Sequence, residues 1–162
     1  MSSGSTLVLA YGNPAREDDG IGPAAAEYLE NLSIHGVTVD ADYQLSVEDA
    51  LSVAEHDRSI FIDAAAEGDE PFFFSRIEPD NSRTFTTHAV EPPAVAALAE
   101  KLAGTEKECY LLGIRGYSFA MFKEEMTDNA QDNLRQAMDF LVPLLSTENI
   151  TEKKFGGSDE RR

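Results

Sequence analysis

Three acidic residues in succession, Glu17-Asp18-Asp19, interrupt a loop otherwise rich in Gly, Asn and Pro in the stretch YGNPAREDDGIGP, residues 11–23. Like charges at that spacing repel one another, so a loop that only turned the chain would be better off without them. A cation, or chemistry that uses carboxylates, would offset the repulsion. Two more side chains could join in: Asp63 follows the apolar run SIFI, and His88 stands in FTTHAV. Asp19, Asp63 and His88 together make an open site for a divalent transition metal, with positions left for water or substrate. Each also has a plainer reading. Asp19 could cap the helix that follows, Asp63 could be a turn residue, and a single histidine such as His88 is commonly structural.

Other chemistries lack their residues. No G-x-S-x-G elbow appears, and no Ser or Cys sits in a motif that would activate it. GNPAREDDGIG has no Lys-Ser/Thr pair, and its acids would repel phosphate; a dinucleotide fingerprint is absent as well. His35 and His56, beside Gly36 and Asp57, read as surface residues, and Cys109 on an apolar run reads as a small hydrophobe.

The elements that must position these groups follow from periodicity. TLVLAYG (6–12) is an apolar run ending in turn residues, hence a buried strand. IGPAAAEYLENLS places Ala25, Tyr28, Leu29 and Leu32 at helical spacing with Pro23 in the first turn. GVTVDADYQ (36–44) alternates as a strand. SVEDALSVAEH opens with a capping pattern, Ser46 and Asp49, and predicts a helix. SIFIDAA (59–65) is a third strand and PFFFSRI a fourth, with Pro71 first. EPPAVAALAEKLAG reads as a helix opened by prolines and closed by Gly104, ECYLLGI as a fifth strand, and TDNAQDNLRQAMDFLVPLL as a long helix that Pro143 kinks or ends.

Alternating strands and helices predict a three-layer α/β/α domain around a twisted, mostly parallel five-stranded sheet. Functional groups in such sheets gather beyond the carboxyl ends of the strands. If strands one and three are parallel neighbours, Asp19, Asp63 and His88 reach the same edge. One domain is expected over residues 1–146, and residues 147–162, without periodicity, read as a frayed tail.

With 13 basic and 30 acidic residues the chain carries a net charge of −17, and 42% of it is hydrophobic. A surface that acidic repels phosphate backbones and anionic lipid, so neither nucleic acid nor membrane is an expected partner. No apolar run nears the ~20 residues of a membrane-spanning helix, and Met1–Ser5 carry no basic segment of a signal peptide. A lone cysteine suits a reducing compartment, and a cytoplasmic protein is expected.

The same residues carry a family likeness. LVLAYGNPAREDDGIGP resembles the opening block of the nickel–iron hydrogenase maturation endopeptidases: an apolar strand, Gly-Asn, a short spacer, then Asp-Asp/Glu-Gly-x-Gly. SIFIDAA is similar to their second block and FTTHAVEPPAVAALA to their His-containing third, in order from Thr6 to Leu145. The resemblance implies a twisted, mostly parallel sheet between helices. It also implies an endopeptidase that removes the C-terminal extension of the hydrogenase large-subunit precursor once nickel is inserted there. The family's catalytic and metal-binding positions fall on Asp19, Asp63 and His88, with Glu17 and Asp18 shaping the loop and its field. The nickel would arrive with the precursor, the chain acting as a monomer by an aspartic-type, nickel-assisted hydrolysis without Ser or Cys nucleophile. Two segments depart from the family pattern: Phe72 follows Pro71 where Pro-Gly is usual, and GIRGYSF lacks a proline soon after Gly-Ile. Both bear on which hydrogenase is recognised. A metal-dependent hydrolase of small molecules and a non-catalytic, nickel-sensing chaperone remain open as alternatives.

Overall fold

The computed structural model describes residues 4–80 and 90–146. In chain order the elements are β1 (Thr6–Tyr11), α1 (Ile21–Leu32), β2 (Val37–Asp42), α2 (Asp49–Ala54) and β3 (Arg58–Ala65). They continue with β4 (Phe72–Arg76), α3 (Pro92–Ala103), β5 (Glu108–Arg115) and α4 (Asp128–Leu145). A single 3-10 turn, Glu17–Gly20, leads into α1.

The strands lie in the order β2-β1-β3-β5-β4, every pair parallel except β4 with β5. Side chains alternate across the sheet as the strand period demands. Val8, Ala10, Ile60, Ile62, Tyr110 and Leu112 point to one face, where α1 and α4 cover them with Ile21, Ala25, Leu29, Met138 and Leu141. Leu7, Leu9, Phe61 and Cys109 point to the other face, against Ala50 and Val53 of α2 and Val95, Ala96 and Ala99 of α3. Each fully buried aliphatic side chain contributes roughly 1.5–3 kcal/mol. The result is the three-layer architecture expected.

Local rules account for the element ends. Thr127 caps α4 by accepting a hydrogen bond from Ala130 N at 3.2 Å. Gly104 closes α3 with φ 75°. The Ser46/Asp49 pattern works in one direction: Asp49 accepts from Ser46 N at 2.8 Å, across a turn that precedes α2. Pro143 sits inside α4, and the helix ends two residues later at Leu145. Tyr28 and Leu32, helically spaced with the buried stripe, stand at its margin and are 45% and 43% exposed.

The direction of β4 alters one expectation. Its last residue, Arg76, pairs with Tyr110 near the start of β5, so β4 exits at the amino edge of the parallel strands. A residue leaving β4 therefore reaches the carboxyl edge only if the chain climbs back. It begins to do so: Asp80 N donates to Pro93 O, in the first turn of α3, at 3.1 Å. Among the described residues no helix is long and apolar enough to cross a membrane.

Candidate functional site at the carboxyl edge

The edge is built from the register outward. Ala10 of β1 pairs with Ile62 of β3, which puts Tyr11 level with Asp63. Asp63 in turn pairs with Gly113 of β5, and Tyr11 with Asp42 of β2. Alternation sends Tyr11 and Asp63 to the face that carries Leu9 and Phe61, the side of α2 and α3. Gly113 leaves its place on that face to Phe73, whose ring would lie 2.3 Å from an added Cβ.

Beyond Tyr11 the chain turns tightly to bring the acidic segment back over the edge. Gly12 has φ 150°, and a Cβ there would sit 2.1 Å from Asp19 O. A Cβ on Gly22 would meet Tyr11 O at 2.2 Å, so glycine is what lets α1 begin directly against the end of β1.

The three acids of that segment then divide. Asp18 is fully buried and accepts from Tyr117 N (2.7 Å), Ser118 N (3.1 Å), Thr127 N (2.7 Å) and Thr127 Oγ1 (2.9 Å). Burial works against its charge, but these donors prevail and hold its pKa below the usual carboxylate range. Glu17, also buried, accepts from Ser118 Oγ (2.5 Å) and Ala120 N (3.2 Å) and pairs with Lys123 Nζ at 3.6 Å. The Ser118 hydroxyl is the main cause of its lowered pKa, against the opposing effect of burial. Both acids clamp the β5–α4 connection, residues 116–127, onto the loop.

Asp19 does not cap α1. The capping position is Gly20, and the Asp19 carboxylate turns back to accept from Asn13 N at 2.7 Å. It remains partly exposed and close enough to Asp63 for their charges to interact. Burial, with the Asp19 charge adding to it, pushes the Asp63 carboxyl up to about 7; a hydrogen bond from Ala64 N–H draws it back only in part. Burial and then the charge of Asp63 hold the Tyr11 phenol well above its ordinary range. Next to Tyr11, Asp40, Asp42 and Asp49 line a cavity of about 30 Å³. Burial first, then Asp40 and Asp42, raise the pKa of Asp49. The edge is thus dense in carboxylates that raise one another's pKa values.

The structure brings Asp19 and Asp63 together. His88 lies outside the described residues, as does the tail from Thr147. The chain on either side of the His88 segment is placed: Asp80 bonds to the head of α3, and Val90 packs in the α2/α3 cluster, on the face of Asp63. Among the described residues no group of three His, Cys, Asp or Glu forms a metal cage. The predicted set rests on Asp19 and Asp63 there. Cys109 is fully buried, with its thiol pushed up to about 12 by burial, and is inert.

Sequence reasoning missed Tyr11, whose signal was its place as the last residue of β1, two positions past Leu9 on the same face. It also missed Thr127 as a partner of Asp18, 109 residues away, for which the sequence carried no signal beyond a helix cap.

No protein-family profile matches the sequence, and no curated protein does. Solved structures do. The [NiFe] hydrogenase maturation protease HycI from Thermococcus kodakarensis KOD1 superposes with a TM-score of 0.70 at 20% identity, over 90% of this chain and 95% of its own. The maturating endopeptidase HybD from E. coli gives 0.68 at 19%, over 87% and 91%. The hydrogenase 2 maturation peptidase from Thaumarchaeota archaeon SCGC_AB-539-E09 gives 0.65 at 20%, over 88% and 98%. The chain has the fold of the hydrogenase maturation proteases. The likeness spans nearly the whole of each chain, so it is the fold as a whole that is shared.

Proposed function

We propose that this chain is an endopeptidase that removes the C-terminal extension of a [NiFe] hydrogenase large-subunit precursor, acting in the cytoplasm on precursor already loaded with nickel. The observation that carries the reading is the pairing of Asp19 and Asp63 at the carboxyl edge, in a fold held in common with hydrogenase maturation proteases. Two carboxylates that repel and are poorly compensated suit a cation brought by the substrate. They are oxygen donors, His88 adds a nitrogen donor, and the set contains no thiolate. Such a set suits nickel as a modest ligand group for an ion already held by the precursor. Bound there, the ion supplies Lewis acidity to the scissile peptide.

The chain's own residues do the rest. Asn13 N–H fixes the Asp19 carboxylate, leaving its other oxygen for the ion. Asp63, whose carboxyl is raised to about 7, would release its proton to water on becoming the second oxygen ligand of the ion. Tyr11 stays protonated beside it and offers a hydroxyl donor at the same level of the sheet.

The test offers purified protein nickel-loaded precursor and metal-free precursor side by side, with the products weighed by mass spectrometry. Cleavage of the loaded form alone, lost in His88→Ala, is the expected result. Cleavage of metal-free precursor by zinc-loaded protein would make this an ordinary metalloprotease. Turnover of simple amides or esters with no precursor cleavage would make it a small-molecule hydrolase. Binding of loaded precursor without any cut would make it a nickel-sensing chaperone.

A further inference from the structure

The connection 116–127 holds a feature that the site chemistry leaves unused. Phe122 is 87% exposed and Met121 54%, with Tyr117 at 37%. Phe122 also adopts φ 62°, a left-handed conformation that costs a bulky L-residue and that glycine takes freely. The segment is not loose. On one side Ala120 N donates to Glu17 Oε1, and Arg16 Nη2 to Phe119 O at 3.3 Å. On the other, Lys123 N donates to Ala15 O at 2.9 Å and Glu17 N to Lys123 O at 2.6 Å. Met121 and Phe122 therefore form a knuckle whose two ends are pinned to the loop that carries Asp19. Phe122 is thus a strained aromatic residue displayed almost entirely to water.

We propose that Phe122, with Met121, is a docking anchor that inserts into an apolar pocket with a basic rim on the protein whose tail is cut. This deepens the proposed function and rests on it. Rigidly displayed aromatic residues make effective anchors because little ordering remains to be done on binding. The sign of the rim follows from charge. Exposed Glu124 and Glu125 follow the knuckle, and the chain as a whole carries −17. A second copy would bring −17 against −17, which argues against self-association as the use of this surface. The anchor's tie to Glu17, two residues from Asp19, sets the docked protein in register with the metal-binding carboxylates.

The experiment compares wild type, Phe122→Gly and Leu102→Ala in steady-state processing of a nickel-loaded large-subunit precursor. It is accompanied by equilibrium binding to the same precursor, thermal unfolding and sedimentation velocity. Phe122→Gly suits the backbone conformation, so its thermal midpoint should match or exceed that of wild type. Its KM should rise about tenfold or more with kcat unchanged. Leu102→Ala, a half-exposed apolar side chain on α3, should keep the wild-type KM. An unchanged KM and binding constant for Phe122→Gly would overturn the proposal, as would a fall in its thermal midpoint that tracked its loss of binding. A wild-type dimer that Phe122→Gly lacks would reassign the surface to a second copy. If wild type binds the precursor through Phe122 but does not cut it, the docking anchor stands and the protease reading falls. If wild type does not bind it, both fall.

Discussion

Asp18, fully buried, and Asp63, half-buried, are carboxylates near the same sheet edge, yet their environments are opposite. Asp18 is met by three backbone N–H groups and a hydroxyl, and its charge is favoured. Asp63 faces Asp19 with only partial compensation from Ala64 N–H, and its charge is disfavoured. The protein that builds a full set of donors for one builds a second carboxylate for the other. Buried carboxylates surrounded by donors tie segments together, whereas a buried carboxylate beside another carboxylate is poised for a cation or a proton. Glu17 belongs with Asp18, and Asp19 with Asp63. Of the three consecutive acids, two are tied down by donors and the third, under the proposed function, is left for chemistry.

Several substitutions test how sharp that division is. The largest effect is expected from Asp63→Asn, which should lower processing by at least about 10³-fold, a loss of several kcal/mol of transition-state stabilisation. The same variant should be more stable than wild type at pH 8. The sign follows from the raised pKa. Folded Asp63 keeps its proton up to about 7 while the unfolded residue loses it near pH 4, so its contribution falls as pH rises between those values and is level above them. The stability gap between Asn and wild type should widen across that window in thermal unfolding. A destabilised Asn variant at pH 8 would place Asp63 in the structural class.

Asp18→Ala should do the reverse. It leaves three N–H groups without their acceptor and should cost on the order of 4 kcal/mol in denaturant unfolding, loosening residues 116–127. The lowered pKa of Asp18 gives a stabilisation that is complete above pH ~4 and is lost as pH falls through the folded value. The alanine variant should lack that acid limb.

A smaller effect should appear in the pH dependence of processing. An ion approaching Asp63 must displace a proton below about 7, so KM for loaded precursor should rise about tenfold per unit as pH falls from 7 towards 5. A flat profile over that range would separate Asp63 from the metal. The smallest is Thr127→Val, which removes one hydroxyl donor to Asp18 and the cap of α4 and should cost about 1–2 kcal/mol. Thr127→Ser should restore most of it. Processing by Thr127→Val at saturating precursor should change little, because the lost bond belongs to the clamp.

The order and type of the elements were legible in the sequence because periodicity of two or 3.6 is imposed residue by residue. Val8, Ala10, Ile60 and Ile62 on one face, and Leu7, Leu9 and Phe61 on the other, are simply every second residue of two apolar runs. The candidate acids were legible too, as unneighbourly charges in a Gly/Asn/Pro loop and at the end of an apolar strand. Which of the three acids was free for chemistry was not. That was decided by Tyr117, Ser118, Ala120, Lys123 and Thr127, roughly a hundred residues along the chain, and sequence proximity says nothing about donors that arrive from there. The reversed course of β4 did have a signal in the sequence: only residues 66–71 separate β3 from β4, too few for the crossover a parallel strand needs, so β4 starts at the carboxyl edge where β3 ends and runs back. Local patterning follows from neighbours in sequence, and so the sequence determined it. Hydrogen-bond saturation and charge balance follow from neighbours in space, and only the tertiary structure sets those.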